Sequence, residues 1–150
     1  MKTCCFFGHS NYLACKYEKL VQTIEDVINI GYKKFLVGDH GLFDFYVINA
    51  LVGLKEKYDI QICRVMTSFK KLTSLEKLDG KFKRYEFKMY DIENLFYKRI
   101  ISVTNQKMVV ESDLIICCVN SLNQRSGAVK AVRYAERKNK KIINLFNSNM

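Results

Sequence analysis

Two histidines, His9 and His40, lie beside glycine or one residue from it, in short breaks between apolar runs. An imidazole in such a break can hydrogen-bond a phosphate or move a proton near neutral pH. His9 stands in Gly8-His9-Ser10 and is the better ligand candidate, whereas His40 reads as an exposed turn residue. Around His40 the chain runs Phe35-Leu36-Val37-Gly38-Asp39-His40-Gly41-Leu42-Phe43-Asp44, apolar residues that break at two glycines and re-emerge as a helical pattern. At the carboxyl end of a strand, glycine leaves the backbone bare and helix-start amides attract an anion. Gly38 and Gly41 are therefore candidate contacts, although turn geometry alone also accounts for glycine there. Asp44 either binds a ribose hydroxyl, acts as a base, or only stabilises the helix start by about 0.3–1 kcal/mol. Asp39 adds negative charge beside the turn and suits a ligand with a cationic or hydroxyl-rich group. Further on, Asn120 lies in a loop and Ser126-Gly127 opens a helix, whose amides serve either a ligand or a simple cap.

The elements that must position these residues alternate. Strands are read at Lys2 to Phe7, Phe35 to Val37, Ile60 to Val65, Leu114 to Val119 and Lys141 to Phe146, the first and fourth of them buried. Between them, Leu20, Val21, Ile24, Val27 and Ile28 recur at helical spacing before the stop at Gly31, and Val47, Ile48, Leu51 and Leu54 mark the next helix. A helix over Phe96 to Glu111 and a last one after Ser126 complete the set. Met66 to about Leu95 reads as an irregular excursion, with a turn at Asp79-Gly80 and room for a short strand at Arg84 to Phe87. Strand and helix in alternation call for an α/β fold: a doubly wound, mostly parallel five-stranded sheet in a Rossmann-like three-layer α/β/α arrangement. With the first and fourth strands adjacent in the middle, Gly8-His9-Ser10, Gly38 to Asp44 and Asn120 to Gly127 converge on one crevice.

Length and composition fit one domain spanning residues 1–150, with 49% apolar residues and no linker or repeat. No apolar run is long enough to cross a bilayer, and the expected location is the cytoplasm. The six cysteines include no Cys-x-x-Cys pair. Adjacent strand residues face opposite sides, so neither Cys4-Cys5 nor Cys117-Cys118 suits a shared metal ion, and free buried thiols are expected. Neither metal nor cofactor is implied. The net charge of +10 includes seven Lys or Arg against one Glu between Arg125 and Lys141. This reads as a solvated helix face with cations at the negative end of its dipole, since no nucleic-acid signature accompanies it.

Phe7-Gly8-His9, Gly38-x-x-Gly41-x-x-Asp44, Asn105 with Met108, Ser112-Asp113 and Ser126-Gly127-Ala128 together resemble the YpsA-like branch of the SLOG superfamily. That superfamily has a Rossmann-like fold and includes the LOG phosphoribohydrolases and domains thought to sense nucleotide-derived signals. The resemblance implies a nucleotide-like ligand. Several positions depart from the branch's pattern. Ser10 stands in place of an Arg, Asp39, Leu42 and Ser126 in place of glycines, Thr104 in place of an Arg and Lys107 in place of a Trp. The Pro-Gly-Gly-x-Gly-Thr-x-x-Glu motif on which LOG-type cleavage depends is absent from the sequence.

The leading expectation is a non-catalytic domain that binds a nucleotide or nucleotide-derived molecule through backbone amides, Ser10, Asn120 and Ser126, in a homo-oligomer. An alternative is N-glycosidic cleavage, with Asp44 or Asp39 stabilising an oxocarbenium-like state and His9 assisting proton transfer. A third is an interaction module in which the basic last helix and the Met66 to Leu95 excursion dock an acidic protein or nucleic acid.

Overall fold

Cys4-Cys5-Phe6-Phe7 is apolar on both faces, which only a strand covered on both sides can satisfy. In the computed structural model, which describes residues 1–79, 84–92 and 96–147, this segment is the middle of β1 (Lys2–Gly8). Neighbouring it are β2 (Tyr32–Val37) and β5 (Leu114–Cys118). The sheet continues through β3 (Gln61–Met66) to β4 (Glu86–Met89) on one side and to β6 (Lys141–Asn144) on the other. The order is β4-β3-β2-β1-β5-β6, with every pairing parallel. Among the described residues five helices, α1 (Tyr17–Asn29), α2 (Leu42–Lys55), α3 (Phe69–Asp79), α4 (Tyr97–Glu111) and α5 (Gly127–Arg137), connect the strands.

Side chains alternate across the sheet into two cores. Cys4, Phe6, Phe35, Val37, Ile116 and Cys118 pack with Leu20, Ile24 and Val27 of α1 and Val47, Leu51 and Leu54 of α2. Cys5, Phe7, Leu36, Ile115 and Cys117 pack with Met108 and Val109 of α4 and Val129, Val132 and Ala135 of α5. The adjacent cysteines thus face opposite sides as the alternation requires, and all six thiols are free and buried. Strand order reverses beside β1, with β1 and β5 adjacent, as the alternating elements imply.

The sheet has six strands among the described residues, not five. The excursion contains α3, whose apolar stripe is thin because Leu72 and Leu75 are only half-buried between charged residues. It also contains β4, two residues later than the expected short strand, held in place by pairing Cys63 with Glu86 and by buried Tyr85 against Phe87. As an edge strand with Glu86 and Lys88 it shows no apolar run. The Gly80 part of the expected Asp79-Gly80 turn lies outside the described residues. β2 begins earlier than its apolar core, because Tyr32 is buried beneath Lys2, whose Nζ lies 5.5 Å from the ring centroid. β6 ends before Phe146, because the Asn144 side chain turns to bond both backbone groups of Val119 at 3.1 Å.

Gly8 lets α2 approach the end of β1. A Cβ there would lie 2.1 Å from Cγ of Phe43, whose ring is 1% exposed. Gly53, exposed on α2, has nothing within 4 Å of its would-be Cβ. The same chemical change at the two sites therefore has opposite signs: in urea denaturation, Gly8→Ala loses about 3 kcal/mol through overpacking, and Gly53→Ala gains about 0.4–1 kcal/mol.

Candidate ligand-binding site

A cavity of about 460 Å³ opens at the carboxyl ends of β1, β2 and β5. Gly8, His9, Ser10 and Asn11 reach it from the β1 exit, Gly38, His40 and Asp44 from the β2 exit, and Asn123, Arg125, Ser126 and Gly127 from the loop into α5. Ile101, Asn105 and Met108 form its wall on α4.

His9 is 4% exposed and sits at the centre of a hydrogen-bonded seam between β1 and β5. Its Nε2 accepts the Asn120 amide proton at 2.9 Å, so that nitrogen carries no proton of its own. The proton of the neutral ring is then on Nδ1, 3.3 Å from Ser126 Oγ, to which it donates. Burial lowers the pKa of His9, which favours this neutral form, and Tyr12 stacks on the ring at 4.8 Å. Ser126 Oγ also accepts the Val129 amide at 3.4 Å as the cap of α5. With its acceptor sites occupied on both sides, the Ser126 hydroxyl offers a donor. The α5 end of the cavity thus gathers donors: that hydroxyl, the first-turn amides at Gly127 and Ala128, and the exposed guanidinium of Arg125, which has no ion-pair partner among the described residues.

The β2 exit has the opposite character. Asp44 Oδ2 accepts the His40 amide at 2.9 Å, and the carboxyl is pushed up to about 6, chiefly by burial. Gly38 makes room for it, since a Cβ there would lie 3.1 Å from Asp44 Oδ2. The Leu42 amide, the first of α2, donates to Ser10 carbonyl at 2.8 Å. Two amides of the glycine turn are therefore taken by the chain itself, and a carboxylate stands where an anion would have to sit. Gly41 does not line the cavity. Its φ of +120° and a would-be Cβ 2.4 Å from Ser10 Cα make it the point where the two loops touch.

Asp39 does not line the cavity either. It is 8% exposed, its carboxylate bound by Arg64 at 2.7 Å and Lys71 at 2.6 Å. Arg64 of β3 also donates to Tyr85 Oη at 3.2 Å, so Asp39 ties the β2 exit to β3, α3 and the start of β4. His40 is half-buried with Nε2 3.4 Å from Thr67 Oγ1, not an exposed turn residue, and burial lowers its pKa. The Asn120 side chain accepts the Leu122 amide at 3.1 Å; the residue's part in the site is its backbone amide on His9. Of the ten candidate residues, Gly8, His9, Ser10, Gly38, Asp44, Ser126 and Gly127 meet at the cavity, and Asp39, Gly41 and Asn120 stand behind it.

Asn11 and Ile101 are not among the expected site residues; Asn123 and Arg125 fall in the loop expected at the crevice, and Asn105 and Met108 among the residues that carry the resemblance, without having been singled out as ligand contacts. Arg125 was hidden in a basic run. On α4 a signal existed: Ile101, Asn105 and Met108 share a face, and Asn105 breaks that apolar face with an amide that has no hydrogen-bond partner among the described residues. No group of three or more His, Cys, Asp or Glu side chains is placed to hold a metal ion among the described residues. No helix there is long and apolar enough to cross a membrane. No protein-family model matches the chain, and no curated protein matches it.

The Asp44 carboxyl binds its proton more tightly in the folded chain, about 6, than at its ordinary value of 3.8. Its contribution to stability is complete below pH 4 and is lost as pH rises through 6, a loss of about 2–3 kcal/mol by neutral pH. Asp44→Asn should flatten that part of the stability profile and be the more stable protein at pH 7, as read by urea denaturation across pH. By contrast, Asp39→Ala strands the guanidinium of Arg64 and costs about 3–5 kcal/mol at pH 7 in the same measurement.

Proposed function

We propose that the chain is a divergent YpsA-like SLOG domain with a doubly wound, Rossmann-like sheet, and that its cavity binds a nucleotide or nucleotide-derived ligand without altering it. The polarity of the cavity carries this reading. Donors at the start of α5 suit a phosphate, and the Asp44 carboxylate across the crevice suits the hydroxyls of a sugar. Apolar Ile101 and Met108 on the α4 wall offer a surface for a base, with the Asn105 amide beside them. A position at the strand-order reversal is where open parallel sheets hold such ligands.

Against chemistry by His9 stands its hydrogen bonding. An Nε2 already holding the Asn120 amide cannot take up a proton without breaking that seam. A second reading, N-glycosidic cleavage, draws on one observation: a cavity carboxyl titrating at about 6 is suited to acid–base work near neutral pH. Chromatography after incubation with nucleoside monophosphates separates the two, since binding alone releases no free base above the enzyme-free control.

Calorimetric titration with nucleoside monophosphates and ADP-ribose is expected to give saturable heat. Gly127 has an ordinary φ and open space at its would-be Cβ, so Gly127→Leu should fold normally and fill the cavity, weakening binding at least about tenfold, or about 1.4 kcal/mol. Asp44→Ala should reduce the preference for ribose over deoxyribose ligands. Flat titrations across the panel with folded protein, or unchanged affinity in Gly127→Leu, would count against the proposal.

A further inference from the structure

Helix α4 has two working faces. Ile101, Asn105 and Met108 wall the first cavity, while Val103, Lys107 and Val110 line a second cavity of about 450 Å³. Tyr90, just past β4, and Tyr134 of α5 complete the wall of that second cavity. Both helices pack on the same face of the sheet, and because every strand pairing is parallel they run side by side in the same direction. The space is therefore a groove between two helices, with valine and tyrosine side chains along it. Val110 is 56% exposed there, an apolar side chain left in water.

Cations flank the groove on both sides. On α4, Arg99, Val103 and Lys107 follow at four-residue spacing, and on α5 Lys130 and Lys138 lie four residues to either side of Tyr134, with Arg137 beside Lys138. All five cations are exposed, and none has an ion-pair partner among the described residues. Each helix carries a single carboxylate. Glu111 is already neutralised by Lys88, whose Nζ donates to both its oxygens at 2.9 and 3.0 Å. Glu136, two residues from Tyr134, falls on another face of α5 by helical spacing.

A positive groove with an apolar floor suits an anionic partner that brings apolar side chains. The tyrosines decide which kind. Lys88 and Lys107 Nζ lie 4.8 and 5.9 Å from the Tyr90 ring centroid, and Tyr134 is faced by Arg137 and Lys138 in the same way. Rings already faced by their own cations are not free platforms for the stacking on which single-stranded nucleic acid relies. From Val103 to Val110 the groove runs about 11 Å, two turns of helix, which matches apolar side chains at i, i+3 or i+4, and i+7 of a docked helix.

We propose that the groove between α4 and α5 docks an acidic amphipathic helix of a partner protein, with its apolar stripe on Val103, Val110 and the two tyrosines and its carboxylates toward the flanking cations. The groove and the first cavity use different faces of α4, so the docking stands whether or not that cavity binds a nucleotide.

The test is fluorescence anisotropy of a fluorescein-labelled peptide of two Glu-Leu-Glu-Glu-Phe-Leu-Glu heptads, titrated with the full chain. A saturable rise is expected, weaker as salt increases. Polyglutamate of the same length, and the same residues scrambled off one face, should bind at least about tenfold more weakly. Lys107→Glu with Lys138→Glu should weaken binding at least about tenfold, and Val110→Gln, which changes no charge at an exposed position, at least about threefold. Lys16→Glu with Lys19→Glu makes the same change in net charge at the start of α1, on the opposite face of the sheet, and should leave the affinity within about twofold. Amide shift mapping on the unsubstituted chain should place the peptide on α4 and α5, and it decides alone if a variant does not fold. Absent binding, equal binding of polyglutamate, equal weakening by both double variants, or tighter binding of a single-stranded oligouridylate of equal charge would each overturn the proposal.

Discussion

A bare backbone at Gly8 is the constraint from which the rest of the carboxyl edge follows. Because no side chain stands there, the Phe43 ring can press onto the end of β1 and seat the first turn of α2 against the β1 exit. That approach brings Gly41 onto Ser10, where only glycine fits, and lets the Leu42 amide bond to Ser10 carbonyl. The two loops on this side are thereby closed against each other. The open space lies between these loops and the start of α5, with Gly38, His40 and Asp44 on one wall and His9, bonded to Asn120 and Ser126, on the other.

The strands that carry the site were legible because burial on both faces leaves an unmistakable pattern. Cys4-Cys5-Phe6-Phe7 and Leu114-Ile115-Ile116-Cys117-Cys118 read as central strands, and the structure pairs them. What stayed hidden depends on partners far away in sequence. β4 is held by pairing with β3 and by Tyr85, not by its own apolarity. Likewise α3 shows only a thin stripe, and one of its charges, Lys71, is committed to Asp39. At the site, the convergence of three loops follows from strand order and could be read in advance. Which of their residues face the cavity could not, because Asp39 and Asp44 are five residues apart and equally acidic, and only the position of Arg64 separates their roles.

Charge shows the same limit. Seven cations between Arg125 and Lys141 look alike in sequence, yet their environments differ. Arg137 and Lys138 lie over the Tyr134 ring at 5.7 and 5.4 Å, and Lys140 Nζ donates to Val110 carbonyl at 3.4 Å. These are engaged with their own surface at the far end of α5. Arg125 stands at the near end, before the cap, without an ion-pair partner among the described residues. Position relative to the helix start distinguishes it, because cations at a helix end interact with its dipole and a cation at the start works with the amides toward an external anion.

On the proposal that the chain is a divergent SLOG domain, its departures from that pattern acquire a physical sense in this setting. A glycine-rich second turn would expose its amides to a phosphate. Here Asp39 replaces one glycine, and its carboxylate draws Arg64 and Lys71 into a buried cluster that holds the turn from behind. Asp44 takes the His40 amide from in front. Together they make this side of the cavity a wall with a carboxylate facing inward, so a phosphate there would meet repulsion instead of donors. The α5 start has the opposite chemistry, with Ser126 adding a hydroxyl whose direction His9 sets. The two turns thus present opposite polarities to one cavity. On the proposed function, that polarity orients a sugar phosphate in one direction only, phosphate toward α5 and hydroxyls toward α2.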